Sequence, residues 1–257
     1  MKRQTVAHWA PLFISIAVLA TTALAAEVRD NASLPVAGRS VVVSQYGIVS
    51  ATQTLAARAG TQILERGGNA VDAAIAANAA MGLMEPFANG VGGDLFVIIR
   101  LAKTGKMYGL NAGGWAPTGL TADFLREQGI KTMPKAGIHS VTVPGVVAGW
   151  AAMHERFGQL AFADILAPAI FYAEHGFPVA EQAARPWAAL NEDSPYFRAD
   201  FTDPNLLRTF RVDGQTPRFG EMFRNPNLGK TLRYIAEQGR DGYYTGPVAD
   251  AILTTSD

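Results

Sequence analysis

A glycine cluster from Gly90 to Gly93 is one feature of the sequence that could serve chemistry, because glycine-rich loops let backbone amides surround a phosphate. The dinucleotide-binding pattern needs a further glycine where Leu95 stands, and it follows a strand and opens a helix. Here the cluster precedes an apolar run typical of a strand. The P-loop pattern fails too, since Gly105-Lys106 is followed by Met107 instead of serine or threonine. The sequence therefore does not favour nucleotide binding.

The histidines do not form a recognisable metal or catalytic pattern. They are scattered along the chain, and none has an acidic partner at the spacing of a metal-ligand pair. The nucleophile-elbow pattern Gly-x-Ser-x-Gly is also absent, so the sequence does not indicate the nucleophilic serine of a hydrolase triad. We therefore predict no metal site and no cofactor. The four histidines are His8, His139, His154 and His175.

Asp72 is a carboxylate within an otherwise apolar helical pattern. A buried charge must be paired or hydrogen-bonded, because an isolated one is costly. Asp72 lies three residues after Asn69, a residue suited to cap a helix, where the free amides of the first turn favour a negative charge. This spacing favours a structural role for Asp72 over a catalytic one.

The pattern of apolar residues predicts a few early strands followed mainly by helices, the order of an α+β protein. The helix over 71–83 is apolar almost all round and must be buried. Residues 191–227 are predicted to be an irregular but ordered excursion. The predicted strands are 40–51, 95–101, 107–110 and 140–144. The predicted helices are 55–64, 71–83, 121–129, 149–157, 162–175, 228–238 and 247–253.

So few strands beside a long buried helix suggest that part of the sheet lies outside this chain. The chain also stops directly after a helical pattern that has no cap, at residues 254–257. Both features predict a truncated domain.

The composition is that of a globular chain with a large core. Hydrophobic residues make up 49% and charged residues 17% of the 257 residues, and the formal net charge is zero. This balance excludes a disordered chain and disfavours a nucleic-acid partner. The absence of cysteine excludes disulfides, thiolate metal sites and a cysteine nucleophile.

The first 25 residues have the order of a secretory signal peptide. Lys2 and Arg3 precede an apolar run over 11–24, and Ala23-Leu24-Ala25 offers a cleavage site. A membrane anchor is the alternative, but the run of about 14 residues is shorter than the roughly 20 that span a bilayer. We therefore predict an exported protein, periplasmic or secreted, with no stable membrane span after cleavage. Residues 26–257 then form one partial domain.

Many collinear segments of the sequence resemble the gamma-glutamyltranspeptidase (glutathione hydrolase) family. The resemblance spans about residues 40–253 and corresponds to the amino-terminal part of the precursor, the large subunit. It is carried by ARAG from Ala57, ILERGGNAVDAA from Ile63, EP at Glu85, GVGGDLF from Gly90, AP at Ala116, VPGVVAGW from Val143, AEHGFPV from Ala173, MFRNP from Met222 and GYYTG from Gly242.

The resemblance implies an N-terminal-nucleophile hydrolase with an αββα sandwich, of which only the amino-terminal part is present. In this family the precursor cleaves itself, and the small subunit begins with a threonine that attacks a gamma-glutamyl amide of the glutathione type. The freed α-amine can accept the proton of the hydroxyl, and water or an amine resolves the acyl-enzyme. The implied partners are a small-molecule gamma-glutamyl or acyl amide and the small subunit.

The nucleophile is the first departure from the family pattern. The chain ends before any processing site, so we predict that no catalytic residue lies in it. Thr254 and Thr255 are not expected to be nucleophiles, because no chain follows them to form the strand that carries one.

The glutamate-binding arginine is the second departure. The resemblance places it just before the Ala-Pro motif, at Gly113 or Trp115 in this chain, and neither is a cation. Losing the partner of a carboxylate weakens its binding. Trp115 could face an apolar acyl group, as in acylases similar to this family, or it only packs the loop while Arg100 or Arg126 supplies the charge. The predicted substrate-binding residues are Asn111, Gly113, Gly114 and Trp115.

Two hypotheses therefore stand. The chain is the front part of a periplasmic gamma-glutamyltranspeptidase-like amidohydrolase, acting on glutathione-type or on non-glutamyl acyl amides. Alternatively, it is a short non-catalytic protein, which would have to bury sheet edges that the family covers with its small subunit.

Overall fold

The computed structural model describes residues 41–135, 137–194, 198 and 203–256. The predicted signal peptide, 1–25, lies outside these residues. The chain divides into two compact units, and the first, which ends at Ser44, contributes only 41–44 to the description. The second unit, from Gln45, contains every element reported below. No helix in the described part has the length and apolar character needed to cross a membrane.

The described residues combine helices with short antiparallel strands, the mixed composition that the α+β class predicts. The elements in chain order are α1 (Thr54–Glu65), α2 (Ala70–Met84), β1 (Leu95–Arg100), β2 (Met107–Ala112), α3 (Ala122–Glu127), a 3-10 turn (Ile138–Ser140), α4 (Val146–Phe157), α5 (Phe162–His175), β3 (Phe177–Pro178), α6 (Glu181–Trp187), a 3-10 turn (Ala188–Leu190), α7 (Pro204–Phe210), β4 (Met222–Phe223), α8 (Pro226–Gln238), α9 (Asp241–Tyr244) and α10 (Gly246–Ser256).

Helix α2 forms the centre of the core, as its apolar pattern predicts. It packs against α1, α4 and α5, and most of its residues are buried. Small residues allow this close packing: a Cβ at Gly60 of α1 would lie 2.8 Å from the carbonyl oxygen of Ala73. Asn69 caps the helix by accepting hydrogen bonds from the amides of Val71 and Asp72. A cap of this type stabilises a protein by about 1 kcal/mol.

The hairpin of β1 and β2 buries only one of its faces. Leu95 pairs with Ala112 and Arg100 pairs with Met107, so the two strands are in register along their whole length. The inner face lies on the core, whereas Phe96 and Ile98 on the outer face are 68% and 77% exposed. An apolar outer face of this kind is typical of a surface that another layer covers.

An aromatic cluster joins the elements of the carboxyl-terminal half. Strands β3 and β4 pair antiparallel, which places Phe177 opposite Phe223. The Trp187 ring lies 4.7 Å from that of Phe223, and Phe210 stacks near both. Helix α8 packs against α5 and carries α9 at its carboxyl end. Residues 191–227 thus include a helix and a strand, although the sequence predicted an irregular excursion.

The predicted hairpin and the predicted helices are confirmed, with end points that differ by a few residues. The prediction of a strand over 40–51 is wrong for its described part, since 41–51 contains no strand. A β-branched run needs a neighbouring strand to satisfy its backbone amides and carbonyls, and the described strands pair only with one another. The strand predicted over 140–144 is wrong as well. That segment begins in a 3-10 turn and continues as irregular chain.

Candidate functional site

The loop over 111–117 leaves the end of β2 on the exposed side of the hairpin. Asn111 is the partner of Phe96 in the strand register, and its side chain oxygen accepts a hydrogen bond from the Gly113 amide at 3.0 Å. This bond turns the chain away from the strand direction. Gly113 lies close to the Phe96 ring, because a Cβ there would be 3.3 Å from the ring carbon Cζ.

Two glycines let this loop contact the segment that leads into α4. Gly114 has a φ of +72°, and a Cβ on it would collide with the carbonyl oxygen of Val143. A Cβ on Gly145 would collide with the carbonyl oxygen of Ala112. The Val143 amide donates to the Trp115 carbonyl oxygen at 2.9 Å. Backbone contacts therefore fix the loop, and only glycine permits them.

The segment over 143–146 is held in turn by two distant parts of the chain. The amides of Gly145 and Val146 donate to the Gly93 carbonyl oxygen at 3.0 and 3.1 Å. The hydroxyl of Tyr244 donates to the Pro144 carbonyl oxygen at 2.5 Å and accepts from the Ala148 amide at 3.2 Å. Burial raises the pKa of the Tyr244 hydroxyl.

The glycine cluster therefore serves packing and positioning. Gly90 approaches helix α2 closely, since a Cβ at Gly82 would lie 3.2 Å from the Gly90 Cα. Gly93 supplies the carbonyl that receives the first amides of α4. Both contacts are made by backbone atoms of the cluster, which therefore has a structural role in this fold.

Trp115 is the most exposed of the large side chains near the loop. Its side chain is 87% exposed, whereas its backbone is bonded to Val143. Asn111 and Gly114 are exposed and Gly113 is half-buried. The four residues predicted from the sequence thus lie together on one accessible, backbone-fixed loop. Tyr244 is not predicted as a site residue from the sequence, although it lies in the GYYTG segment that contributes to the resemblance.

Comparisons with known proteins identify the family. The family model for gamma-glutamyltranspeptidase matches residues 56–257. The chain belongs to the gamma-glutamyltranspeptidase family. It is 35% identical over 217 residues to the glutathione hydrolase-like YwrD proenzyme of Bacillus subtilis, covering 84% of this chain and 40% of that protein.

Solved structures of the family have the same fold. The chain is similar to cephalosporin acylase from Bacillus halodurans, with a TM-score of 0.77 and 40% identity over 86% of this chain and 41% of that one. For Helicobacter pylori gamma-glutamyltranspeptidase the TM-score is 0.75, with 30% identity over 84% of this chain and 61% of that one. The chain thus spans about two fifths of the length of the YwrD proenzyme and of the acylase.

Arg100 and Arg126 are the two arginines that the sequence offers in place of the glutamate-binding arginine expected from the resemblance. Arg100 pairs with Met107 at the far end of the hairpin, five strand residues or about 17 Å from Leu95 and the loop. That distance is longer than an arginine side chain. Arg126 forms an ion pair with Asp123 at 2.6 Å, on the exposed surface of α3. Arg100 thus lies at the opposite end of the hairpin from the loop, and Arg126 is engaged by Asp123.

Asp72 has the structural role that its position predicts. Its side chain is fully buried and accepts hydrogen bonds from the amides of Asn69, Gln159 and Leu160 at 3.0 to 3.3 Å. The carboxylate thereby completes the cap of α2 and joins it to the turn before α5. With all of these bonds made inside the fold, it is not placed to act on a substrate.

The remaining candidates also have structural surroundings. Thr254 and Thr255 lie within α10, where their hydroxyls donate to the carbonyl oxygens of Asp250 and Ala251. A helical position with a bonded hydroxyl is unlike that of a family nucleophile at the start of a chain. The ring of His154 contacts the Leu160 carbonyl oxygen, and that of His175 stacks on Phe171. The described residues contain no group of three or more metal-ligating side chains.

Proposed function

We propose that this chain is the amino-terminal portion of a gamma-glutamyltranspeptidase-like amidohydrolase and that the loop over 111–117 forms a wall of its acyl pocket. The chain supplies the scaffold and this wall. A second portion supplies the threonine, whose hydroxyl attacks the amide carbonyl while its α-amine accepts the proton. Water or an acceptor amine then releases the acyl group.

The observation that carries this proposal is the exposed indole of Trp115 on a loop with a fixed backbone. A large apolar side chain that is 87% exposed favours a contact with a ligand or another chain. The Trp115–Val143 bond and the close approach of Gly114 hold the indole's attachment point in place. Such a rigid support is what a binding surface requires, because little conformational entropy is lost when the ligand binds.

We further propose that the preferred acyl group lacks a free α-carboxylate. A carboxylate would meet an indole at the position where the resemblance expects an arginine, and desolvating it without a partner would weaken binding by a few kcal/mol. An aliphatic or aromatic acyl group would instead gain apolar contact. The similarity to a cephalosporin acylase supports an acylase-like preference.

The second portion would also cover the outer face of the hairpin. Phe96, Ile98 and Met107 are more than half exposed on that face. A second sheet packed on them would complete the αββα sandwich and exclude water from the loop. We propose that this layer belongs to the small subunit of the same precursor, and that the signal peptide over 1–25 directs the precursor to the periplasm or the exterior.

The test is to produce the chain together with the polypeptide encoded directly after codon 257. We expect self-cleavage into two subunits, visible by denaturing gel electrophoresis and by the mass of a subunit beginning with threonine. The processed protein should then hydrolyse an aliphatic acyl p-nitroanilide with a kcat/KM at least tenfold above that for the gamma-glutamyl p-nitroanilide. A preference for the gamma-glutamyl donor would contradict the role of Trp115, and a stop codon after 257 would favour the non-catalytic protein.

A further inference from the structure

A cavity of about 680 Å³ lies between the end of α5, the end of α7 and the start of α8. Its volume falls within the range of about 300 to 1,000 Å³ that is typical of small-molecule sites. None of the residues of the loop over 111–117 lines it. The cavity is thus a candidate site separate from the proposed acyl pocket.

The lining of this cavity is strongly basic. Arg208, Arg211 and Arg224 line it together with His175, and no acidic side chain is among its described lining residues. Three guanidinium groups around one cavity repel each other, and an arginine is never neutral under ordinary conditions. An anion bound among them would offset this repulsion.

Two acidic residues that flank the cavity in sequence, Glu174 and Glu221, are engaged by other arginines. Glu174 precedes His175, and both of its oxygens accept from Arg233 at 2.6 Å, which lowers the pKa of the Glu174 carboxyl. Glu221 forms an ion pair with Arg218 at 2.7 Å. These pairs leave neither carboxylate free to neutralise the three lining arginines.

The guanidinium groups of the cavity retain donors without strong acceptors. Arg211 donates one bond to the Leu190 carbonyl oxygen, while its Nε is buried and has no acceptor. Among the described residues, the Arg208 side chain bonds only to the neutral oxygen of Asn205, at 2.7 Å. Arg224 makes no ion pair or hydrogen bond with any described residue. The exposed guanidinium groups of Arg208 and Arg224 thus retain N–H donors that an oxyanion in the cavity would accept.

The start of helix α8 adds a favourable field to the same cavity. Asn225 caps this 13-residue helix by accepting from the Leu228 amide, and Pro226 has no amide hydrogen. The amide of Asn227 in the first turn is left without an intrahelical acceptor. The positive end of the helix dipole therefore faces a cavity that already carries three guanidinium groups.

We propose that this cavity binds a small polyanion, a molecule with at least two phosphate or carboxylate groups, on Arg208, Arg211 and Arg224. Planar guanidinium groups bind both oxyanions in a bidentate manner, so the shared chemistry is an array of anionic oxygens. A single oxyanion fills only part of a cavity of about 680 Å³ and reaches only part of its three arginines. This binding role goes beyond the proposed amide hydrolysis and does not depend on it.

Isothermal titration calorimetry of the purified full chain tests the proposal, with inorganic phosphate, pyrophosphate and citrate as probes at constant ionic strength. We expect pyrophosphate or citrate to bind one-to-one and at least tenfold more tightly than inorganic phosphate. The tighter of the two identifies the source as a phosphorylated molecule or a polycarboxylate. Absence of one-to-one binding by both, with dissociation constants above about 1 mM, would overturn the proposal.

Variants separate a built site from general charge attraction. Arg224→Gln and Arg208→Gln change exposed side chains and are each expected to weaken polyanion binding about tenfold or more. Arg58→Gln removes the same charge from an exposed position on α1 that does not line the cavity, and it should change affinity less than twofold. Equal weakening by Arg58→Gln and Arg224→Gln would show that only net charge matters and would also overturn the proposal.

Discussion

The start of helix α2 and the loop over 111–117 position polar groups in opposite ways. At α2, a side chain does the positioning: the fully buried Asp72 carboxylate accepts amides from Asn69 and from Gln159 and Leu160. At the loop, the side chains are exposed, and backbone groups of Gly114 and Trp115 do the positioning. The first arrangement stabilises the core, and the second leaves its side chains available to a ligand.

This difference separates residues that hold the fold from residues that could bind a substrate. A substitution at Asp72 of α2 should change the stability of the whole protein, because its carboxylate is fully buried and accepts from three amides. A substitution at the tip of the loop should change binding with little change in stability. The following predictions test this contrast through the free energy of unfolding.

Asp72→Ala should have the largest effect on stability. The substitution leaves the amides of Asn69, Gln159 and Leu160 without the fully buried carboxylate to which they donate. We expect a loss of about 3 kcal/mol or more in the free energy of unfolding, measured by urea denaturation.

Asp123→Ala is the matched control for this substitution. Asp123 is also an acidic residue in the first turn of a helix, but its side chain is 84% exposed beside Arg126. Its removal should change the free energy of unfolding by less than about 0.5 kcal/mol. Similar losses for the two variants would contradict the proposed contrast between the two regions.

Gly114→Ala should have the next largest effect, because it disturbs the backbone support of the loop. Gly114 combines a φ of +72° with a Cβ position that collides with the Val143 carbonyl oxygen. Gly129 has a φ of +73° but open space around its Cβ position, so Gly129→Ala isolates the conformational penalty. We expect a loss of about 1 kcal/mol for Gly129→Ala and about 2 to 3 kcal/mol for Gly114→Ala in urea denaturation. Equal losses would show that the contact with Val143 is unimportant.

The sequence could predict α2 and the hairpin because their signals are local. Asn69 and Asp72 are three residues apart, and the apolar pattern between 71 and 83 is continuous. The support of the loop is non-local: Tyr244 and Pro144 are 100 residues apart, and Gly114 meets Val143 through backbone atoms. The periodicity of apolar residues along the sequence carries no information on such non-local contacts. The residues of the loop over 111–117 were therefore predicted only through the family resemblance.

The same reason explains the strand that the sequence predicted wrongly over 40–51. Its β-branched residues signal the correct local preference, but a strand forms only beside another strand. The described strands leave it without a partner. The sequence likewise did not predict the cavity lined by Arg208, Arg211 and Arg224. Arg208 and Arg224 lie in separate segments that meet only in the folded chain.

Tyr244→Phe should have a moderate effect, because it removes the hydroxyl that joins Pro144 and Ala148. We expect a loss of about 1 to 2 kcal/mol in the free energy of unfolding, since a partly buried acceptor and a partly buried donor lose their partner. Tyr243→Phe removes a neighbouring hydroxyl that bonds to none of the described residues, so at neutral pH it should change stability by less than about 0.5 kcal/mol. A loss at Tyr243 equal to that at Tyr244 would show that the hydroxyl bridge is not the cause.

Trp115→Ala should have the smallest effect on stability and the clearest effect on binding. The side chain is 87% exposed, so its removal should change the free energy of unfolding by less than about 0.5 kcal/mol. In the processed enzyme, kcat/KM for the aliphatic acyl p-nitroanilide should fall about tenfold or more, because the acyl group loses apolar contact in the transition state. Phe219→Ala removes another exposed aromatic side chain, 69% accessible, outside the loop, and should leave kcat/KM unchanged. A Trp115→Ala variant that loses stability but keeps its donor preference would show that Trp115 stabilises the fold, as Asp72 does. It would contradict the proposed contrast between the start of α2 and the loop over 111–117.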